Sequence, residues 1–414
     1  MTIFNPIWRV KIQGVEYQKF SLANLTITSG RTNIYEQAQA GYVNLSWINL
    51  TQTPVNININ DSVSVELKDS TDTFVQIFGG TITDLAIEVT TAGSVGVNQT
   101  ISIIALGSLA RLQKALTLGV LGDDLDGVQI ETILTDLLVN SWNEVPAALT
   151  WASYPSTVTW ATAENTGLGE IDPGNYELAD RDSELIDVYT LVSQLATSGL
   201  GYLYEDSFGR ISYADSTHRS LYLATNGYTD VDARQAIING MQINTRAGDV
   251  RNDITLNYGK KSAFQKTAVD DVSIGIFGRL AQIITTTIKQ GVDAQDQADF
   301  YLSLRAYPQP MMNSITFELT NPELDDADRD AMIKIFMGVP LRISNLPLNM
   351  TAGTYVGFVE GWTFRAAYNS VSVTALLSPL AYSLQALRWE QVPIGESWNT
   401  ISGTLEWQDA TVVA

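Results

Sequence analysis

The chain has 414 residues and 45% hydrophobic content, so it can bury a substantial core, and its length indicates roughly two to four domains. It has no cysteine, which excludes disulfides and thiol chemistry and suits assembly in a reducing cytosol. Its 45 acidic and 24 basic residues give a net charge of −21, which repels phosphate and argues against specific nucleic-acid binding. No apolar run approaches the roughly 18 residues that span a bilayer, so we expect no membrane insertion.

From Trp8 to Ile104 the apolar side chains alternate with polar ones at the period of two that is typical of β-strands. Strand-like stretches include IWRVKIQG, FSLANLTITSG, YVNLSWINL, DSVSVELKD and FVQIFGGTITDLAIEVTT. So many short strands in succession predict a sandwich or a barrel over residues 1–115. Gly79 and Gly80, within the last of these stretches, predict a bulge or a sharp bend.

The next pattern predicts an α+β insertion over residues 116–228. Asp126 followed by Gln129 resembles a capping box and predicts the start of a helix. A clearer helix follows at LIDVYTLVSQLATS, whose apolar residues recur at helical spacing and which Gly199 ends. The stretch GYLYEDSFGRISYA then predicts a β-hairpin.

A second β-rich unit with two helices is predicted over residues 229–378. Asp293 is expected to cap one helix that ends before Pro308, and the other runs from about Asp326 to Met337. Beyond it, residues 379–414 form a tail without regular pattern.

Residues that carry catalysis are scarce. His218 is the only histidine, which excludes a His-based triad or a multi-His metal site, and we interpret it as a structural surface residue. The aspartates of LDDADRD, residues 324–330, have the spacing that opens a calcium loop, but Ala331 and Met337 occupy the positions of its Gly and Glu. Carboxylates at a helix N-terminus explain this stretch better. We therefore expect no enzyme, no cofactor and no bound metal.

Five stretches follow one another in a recognisable order between about residues 20 and 380. They are GR with QAQAGYVNLSWINL, FGGTITDLAIEV with SIIALGSLARLQK, LVSQLATSGLGYLYEDSFGRISY, VRNDITLNYG with SIGIFGRL, and YVGFVEGWTFRAAYNSVSVTALLSP. In this order they resemble the tail hub (tail-tip or baseplate hub) proteins of tailed bacteriophages, often called minor tail proteins in long-tailed phages. The acidic segment 139–180 departs from the family's pattern.

The resemblance implies a mainly β fold with α+β insertions. The implied fold comprises two tail-tube-like β-barrel domains, a helix-containing insertion and an extended C-terminal tail. It also implies a structural virion protein, a homotrimeric hub that connects the tail tube or distal tail ring to the host-recognition tip and lines the DNA ejection path.

The partners implied by the resemblance are a ring of distal tail or tail tube protein, a downstream tail-tip or fibre protein, and a tape measure protein. DNA passes through without being specifically bound. The location implied is the distal end of the virion tail, after assembly in the cytoplasm of the host bacterium.

Tail-tube-like barrels use long loops to reach a neighbour, so the resemblance makes the polar loop 30–42 an inter-subunit or inter-ring contact. Its contact residues are expected to be Arg31, Tyr35, Gln37 and Gln39. A loop that contacts only solvent is the alternative.

Three tryptophans mark the tail at intervals of nine residues, namely Trp389, Trp398 and Trp407. Exposing three indoles would create an adhesive patch, so we predict that they are anchors docked in pockets and that at least one contacts another chain. A purely intramolecular clasp is the alternative.

Another function class remains open. The acidic residues leave room for a paired-carboxylate glycosidase, and the nine tryptophans are suited to stacking on sugars. The alternative is therefore a carbohydrate-binding or glycan-degrading receptor-recognition protein of the tail tip.

Overall fold

The structure is a computed structural model of a mainly β chain. It describes residues 4–17, 21–32, 34, 36–50, 54–91, 98–137, 168–236, 241–367 and 370–379. The segment 139–180 is described only from residue 168 onwards.

The first β-unit follows the predicted alternation. β4 buries every second residue from Gly41 to Asn49, as expected for a strand with one face on a core. The strands are β1 (Trp8–Ile12), β2 (Val15–Glu16), β3 (Ser21–Gly30), β4 (Gln39–Asn49), β5 (Ser62–Lys68), β6 (Phe74–Thr91) and β7 (Asn98–Leu106).

The insertion contains the predicted long helix and hairpin. The elements are α1 (Leu109–Leu112), β8 (Leu116–Thr117), β9 (Asp124–Leu125), α2 (Asp126–Asp136), β10 (Leu168–Ile171), β11 (Glu177–Leu178), β12 (Ile186–Asp187), α3 (Val188–Ser198), β13 (Tyr202–Glu205), β14 (Ile211–Ala214) and α4 (His218–Asn226). Helix α3 begins where the Asp187 carboxylate accepts a hydrogen bond from the Thr190 amide at 2.8 Å, and Gly199 follows its last residue. Gly209 has a φ of +79° in the turn between β13 and β14.

The predicted capping box at the start of α2 is wrong. Asp126 is the first residue of the helix, and its carboxylate accepts hydrogen bonds from the Tyr176 amide at 2.8 Å and from the Tyr213 hydroxyl. Gln129 donates its amide to a carbonyl oxygen in the segment before β9, at 2.7 Å. Both side chains reach other segments because they are buried in the insertion, where burial raises the pKa of Asp126 to about 6.

The second β-rich unit contains both predicted helices, α6 and α7, and one helix that the sequence pattern did not predict, α5. Its elements are β15 (Thr229–Asp232), β16 (Ile243–Thr245), β17 (Asp253–Tyr258), β18 (Phe264–Val269), α5 (Asp271–Phe277), β19 (Ala281–Thr285), α6 (Gly291–Arg305), β20 (Pro310–Met312), β21 (Ser314–Glu318), α7 (Asp326–Ile333), β22 (Pro340–Ser344), β23 (Tyr355–Ala367) and β24 (Ser370–Pro379). The acidic stretch does open a helix, since the Asp325 carboxylate accepts from the Asp328 amide at 2.8 Å.

One sheet runs through both β-units. β3 pairs antiparallel with β23 from Gly30–Gly361 to Asn24–Ala367. The strand order is β15-β22-β23-β3-β4-β7-β6-β5-β1-β2, and β24 joins β23 to β21 on a branch. The mainly β prediction is confirmed, whereas the pairing among the described strands closes neither β-unit into a barrel.

The buried apolar side chains form two large clusters. One is shared by the two β-units and includes Ile27, Leu45 and Phe364. The other joins the insertion to β17, β19 and α6, for example through Leu195 and Leu256. Residues of the second β-rich unit therefore pack on both clusters, and the predicted boundaries at 115, 228 and 378 remain predictions.

Candidate assembly interface around residues 30–42

The loop from β3 to β4 starts in close contact with β23. Gly30 has a φ of +90°, and a Cβ at this position would lie 2.3 Å from the Glu360 carbonyl oxygen. The Arg31 amide donates to the same carbonyl oxygen at 2.8 Å. Only glycine allows both the positive φ and this close approach of two backbones.

A carboxylate with two guanidinium groups lies buried beneath the start of the loop. Glu360 on β23 accepts from Arg31 Nε at 2.6 Å and from the Arg219 guanidinium on α4 at 2.8 and 2.9 Å. The Ser378 hydroxyl on β24 donates to the same carboxylate. The side chains of Glu360, Arg219 and Arg31 are only 1%, 5% and 6% exposed. This buried charge cluster connects the first β-unit, the insertion and the second β-unit.

The charges in the cluster determine its ionisation. Burial alone would raise the pKa of Glu360, but the attraction of Arg219 and Arg31 outweighs it and lowers the pKa to about 2. The Arg219 guanidinium carbon also lies 4.5 Å from the centroid of the Tyr202 ring, a cation–π distance. Each buried charge has an opposite partner, so the carboxylate remains ionised at neutral pH and holds the three segments together.

Two glutamines fix the middle of the loop to the insertion. Gln37 accepts from the Leu203 amide at 2.9 Å and donates to the Gly201 carbonyl at 3.3 Å. Gln39 donates to the Tyr189 hydroxyl on α3 at 3.2 Å. These side chains are therefore engaged within the chain. Their contact with another subunit remains a prediction.

A second acid, partly buried, lies where β4 and β7 meet the insertion. The carboxylate of Glu205 on β13 accepts from the Gly41 amide at 2.6 Å and from the Leu109 amide at 2.5 Å. A Cβ at Gly107 would lie 2.0 Å from this carboxylate, so the acid fits because residue 107 has no side chain. Burial raises the pKa of Glu205 to about 7 even though both amides favour the ionised form.

The hairpin turn of the insertion packs against β6. A Cβ at Gly79 would lie 2.1 Å from the Phe208 carbonyl oxygen, and one at Gly209 would lie 2.3 Å from the Gly79 carbonyl oxygen. The predicted bulge is present, but at Ile77, opposite the step from Val65 to Glu66. Gly79 instead allows the backbone of β6 and the backbone of the hairpin turn to approach each other closely, which is the other common reason for a glycine in a strand.

Two cavities border the loop. One of about 150 Å³ lies between the loop, the insertion and α6, and three arginines line it, Arg31, Arg219 and Arg305. The other, of about 460 Å³, lies beside the end of β24 and is lined by Ile34 and Leu376 together with polar residues. Ile34 lines both cavities. The loop therefore separates a charged cavity from a larger, more apolar one.

Exposed apolar side chains are frequent in two parts of the described chain, which define two groups. The first lies at β8 and β12 and is 57–64% exposed, comprising Leu116, Leu118, Val120 and Leu185. The second lies on β18, α5 and β19 and is 42–70% exposed, comprising Val269, Val272, Ile276 and Ile283. Grouped apolar residues of this kind are typical of surfaces that bind other proteins.

His218, interpreted as a structural surface residue, opens α4, but its side chain is only 19% exposed and has a carboxylate partner. Its Nδ1 lies 2.7 Å from Asp172 Oδ2, and Asp172 also accepts from the Asp215 amide at 3.0 Å. Burial would lower the pKa of His218, but the hydrogen bond and the charge of Asp172 outweigh it, so the pKa is raised. The pair connects α4 to the segment that follows β10.

Of the contact residues predicted from the sequence, the structure describes three. Arg31 and Gln37 both line the smaller cavity, and Gln39, the first residue of β4, is exposed. Tyr35 lies outside the described residues, as do the tail anchors Trp389, Trp398 and Trp407.

The sequence pattern did not identify the buried acids. Glu360 interrupts the apolar run YVGFVEGW of β23, and Glu205 follows the apolar start of the hairpin. A single acidic residue inside an apolar strand is the sequence signal for such a buried acid. Because a buried charge needs a partner, the signal also predicts a cation or a hydrogen-bond donor from another segment. Which cation or amide supplies the partner is not visible in the sequence.

The described residues offer no group of three or more His, Cys, Asp or Glu side chains placed to hold a metal ion. Within the same ranges, no helix is long and apolar enough to cross a membrane.

Comparison with known proteins gives matches in structure but not in sequence. No family model and no curated protein matches the chain. It is similar to the 43 kDa tail protein of prophage MuSo2 from Shewanella oneidensis, with a TM-score of 0.54 and 11% identity over 91% of this chain and 98% of that one. It is also similar to the tail protein from Neisseria meningitidis MC58, with a TM-score of 0.56 and 11% identity over 92% of this chain and 98% of that one. Prophage tail protein gp18 from Listeria monocytogenes EGD-e superposes less closely, with a TM-score of 0.47 and 12% identity over 90% and 95% of the two chains.

The chain therefore has the fold of phage tail proteins, and the resemblance noted in the sequence is confirmed at the level of the fold. The similarity extends over nearly the whole of the Shewanella and Neisseria proteins. It thus includes the insertion as well as the two β-units.

Proposed function

We propose that the chain is a structural protein of a phage virion, a tail hub that connects the tail tube or distal tail ring to the host-recognition tip. The observation that carries this proposal is the shared fold over 91% and 92% of this chain and 98% of each of two phage tail proteins. The match leaves only about 8–9% of the chain outside the shared fold.

In this proposal three copies form a ring, and each copy contributes its two β-units to a pseudo-sixfold arrangement. The pairing of β3 with β23 supports it, because it sets the two β-units side by side as consecutive members of a ring would be. The two groups of exposed apolar residues supply surfaces that a subunit contact would bury. The loop 30–42 contacts the next subunit or ring. The contact uses those loop residues that are not already hydrogen-bonded within the same chain.

The charge of the chain fits a passage for DNA. A net charge of −21 repels the phosphate backbone, so a duplex that moves through the ring is not retained. The chain works without enzymatic activity or a cofactor. Its partners are the tail tube or distal tail ring, a tip or fibre protein and the tape measure protein, at the distal end of a tail assembled in the host cytoplasm.

The mass of the native particle tests the assembly. Light scattering and native mass spectrometry of the full chain should give a multiple of three 45.3 kDa subunits. A chain that stays monomeric at every concentration and binds host glycans would instead support a receptor-recognition protein.

Two variants locate the subunit contact. Leu118→Asp and Ile283→Asp place a charge in each apolar group, and we expect at least one of them to reduce the trimer fraction by tenfold or more. Leu348→Asp is the matched control, because Leu348 is 85% exposed and belongs to neither group. Equal trimer fractions in all three variants would exclude both groups as contacts.

A further inference from the structure

The smaller cavity beside the loop is lined by cationic side chains from three parts of the chain. Arg31 belongs to the loop, Arg219 to α4 in the insertion, and Arg305 is the last residue of α6 in the second β-unit. Each of the three residues is at most 7% exposed. Every described residue that lines the cavity is buried or half-buried. Water and salt therefore screen these charges weakly, and the guanidinium groups act strongly on whatever enters the cavity.

One carboxylate lines the cavity with the three arginines. Asp215 Oδ1 accepts hydrogen bonds from the amide and the hydroxyl of Thr217, each at 2.8 Å, so this acid is engaged at the start of α4. Arg305 Nη1 donates to the side-chain oxygen of Gln282, which also lines the cavity and is uncharged. Within the described residues the lining thus carries three positive charges and one negative charge. An anion in the cavity would offset this excess of positive charge.

Arg31 has donors that a ligand can use. A guanidinium group carries five N–H donors, and within the described residues Arg31 uses two of them. Its Nε donates to Glu360 at 2.6 Å and its Nη1 donates to the Glu36 carbonyl at 3.0 Å. Burial lowers the pKa of Arg31, and the repulsion of Arg219 adds to this effect against the attraction of Glu360. A further anion beside Arg31 would stabilise its charged form.

The size of the cavity and the shape of its donors limit the choice of anion. Its volume is about 150 Å³, and a cavity of roughly this size holds one benzene ring, so a small ion fits whereas a nucleotide does not. Guanidinium groups bind carboxylate and phosphate through paired N–H donors. A carboxylate presents two oxygens, but a phosphate or sulfate ion presents four and can face three guanidinium groups at once. The geometry therefore favours a tetrahedral oxyanion.

We propose that the smaller cavity is a binding site for a small free oxyanion of the phosphate or sulfate class. The ion contacts Arg31, Arg219 and Arg305, and it thereby connects the loop to the insertion and to α6. Together with the buried charge cluster around Glu360, it fixes the start of the loop 30–42. This inference does not depend on the proposed hub function, because all three arginines belong to one chain.

Isothermal titration of the full chain with inorganic phosphate at neutral pH tests the site. The buffer contains no other oxyanion, and sodium chloride keeps the ionic strength equal in the cell and the syringe, so that screening of the net charge of −21 does not change. We expect saturable binding of one phosphate per chain, and sulfate should compete for it. Heats that do not saturate, or that equal those of added chloride, would overturn the proposal.

Three variants test whether the bound ion lies in this cavity. Arg305→Gln should weaken phosphate binding by about tenfold or more, because it removes a charged donor. Gln282→Glu keeps the size of the side chain and adds a negative charge to the lining, so it should weaken binding by a similar factor. Arg342→Gln is the matched control, since Arg342 pairs with Asp230 elsewhere and its side chain is 48% exposed. Urea unfolding midpoints show which variants are folded.

The comparison of Gln282→Glu with Arg342→Gln keeps the test decisive even if the loss of Arg305 prevents folding. Unchanged phosphate affinity in a folded Gln282→Glu chain, or equal losses in Gln282→Glu and Arg342→Gln, would overturn the proposal. A short DNA duplex at the same phosphate concentration distinguishes a free ion from a nucleic-acid backbone. We expect no saturable heat from the duplex, because its phosphates cannot reach a lining of buried and half-buried residues. Duplex binding that Gln282→Glu weakens would assign the site to nucleic acid and would likewise overturn the proposal.

Discussion

Replacing Glu360 with glutamine tests whether the buried charge cluster holds the junction of β3, α4 and β23 together. The substitution keeps the size of the side chain but removes the negative charge that faces Arg31 and Arg219. Both arginine side chains are at most 6% exposed, so water cannot replace the lost carboxylate without a rearrangement. We therefore expect a large loss in the free energy of unfolding.

Two independent arguments give a similar magnitude for this loss. The pKa of Glu360 is lowered from 4.5 to about 2, which at about 1.4 kcal/mol per pKa unit corresponds to roughly 3 kcal/mol. Removing one partner from a buried ion pair costs about 3–5 kcal/mol. A loss of roughly 3–5 kcal/mol is a large part of the about 5–15 kcal/mol that stabilises a typical protein.

The pH dependence has a definite direction. Because the folded pKa is below the unfolded value of 4.5, the stabilisation is fully present above about pH 4.5 and is lost as the pH falls toward about 2. The difference in stability between the natural chain and E360Q should therefore be constant near neutral pH and shrink over that acidic range.

Urea unfolding followed by circular dichroism at neutral pH measures the effect. Asp230→Asn is the matched control, since the pair Arg342–Asp230 is 48% and 58% exposed and an exposed pair contributes less than about 1 kcal/mol. If E360Q loses no more stability than D230N, the two guanidinium groups do not depend on this carboxylate and the reasoning is wrong.

Three further predictions concern the pH response, the packing of the insertion and the tail. Burial raises the pKa of Glu205 from 4.5 to about 7, so the folded chain holds a proton that the unfolded chain releases, and the stability that this group contributes falls as the pH rises through that range. Urea unfolding at several pH values in this range should show that the free energy of unfolding of the natural chain decreases with pH, and that Glu205→Gln makes this decrease smaller. The same pH dependence in the natural chain and the variant would contradict the assignment. Gly79→Ala should cost about 1–3 kcal/mol in thermal unfolding because its Cβ would lie 2.1 Å from a carbonyl oxygen, whereas Gly122→Ala, with open space around it, should cost under about 0.5 kcal/mol. Equal unfolding midpoints for the two alanine variants would count against the packing argument. Deleting residues 385–414 should leave a folded protein that assembles poorly into the ring or onto the next tail component, and normal assembly of the truncated chain would disprove a role for the tail.

The sequence by itself determined the local elements. The period-two alternation around Val43, Leu45 and Trp47 places one face of β4 on a core, whatever strand lies beside it. Gly199 follows the last residue of α3 as predicted, and Gly209 permits the turn of the hairpin, because helix ends and turns involve only neighbouring residues. Such signals act over a few positions, and they were sufficient to predict a mainly β chain with an α+β insertion.

Only the tertiary structure decided which surfaces meet. Arg31 and Glu360 are 329 positions apart, and Asp126 and Tyr213 are 87 apart, so no local pattern joins either pair. The edge of a strand offers the same amide and carbonyl groups to any partner, so the pairing of β3 with β23 depends on the packing of the whole sheet. For the same reason the apparent capping box at Asp126 was misleading. A carboxylate bonds to the donors that the fold brings within reach, and in the insertion these come from distant segments.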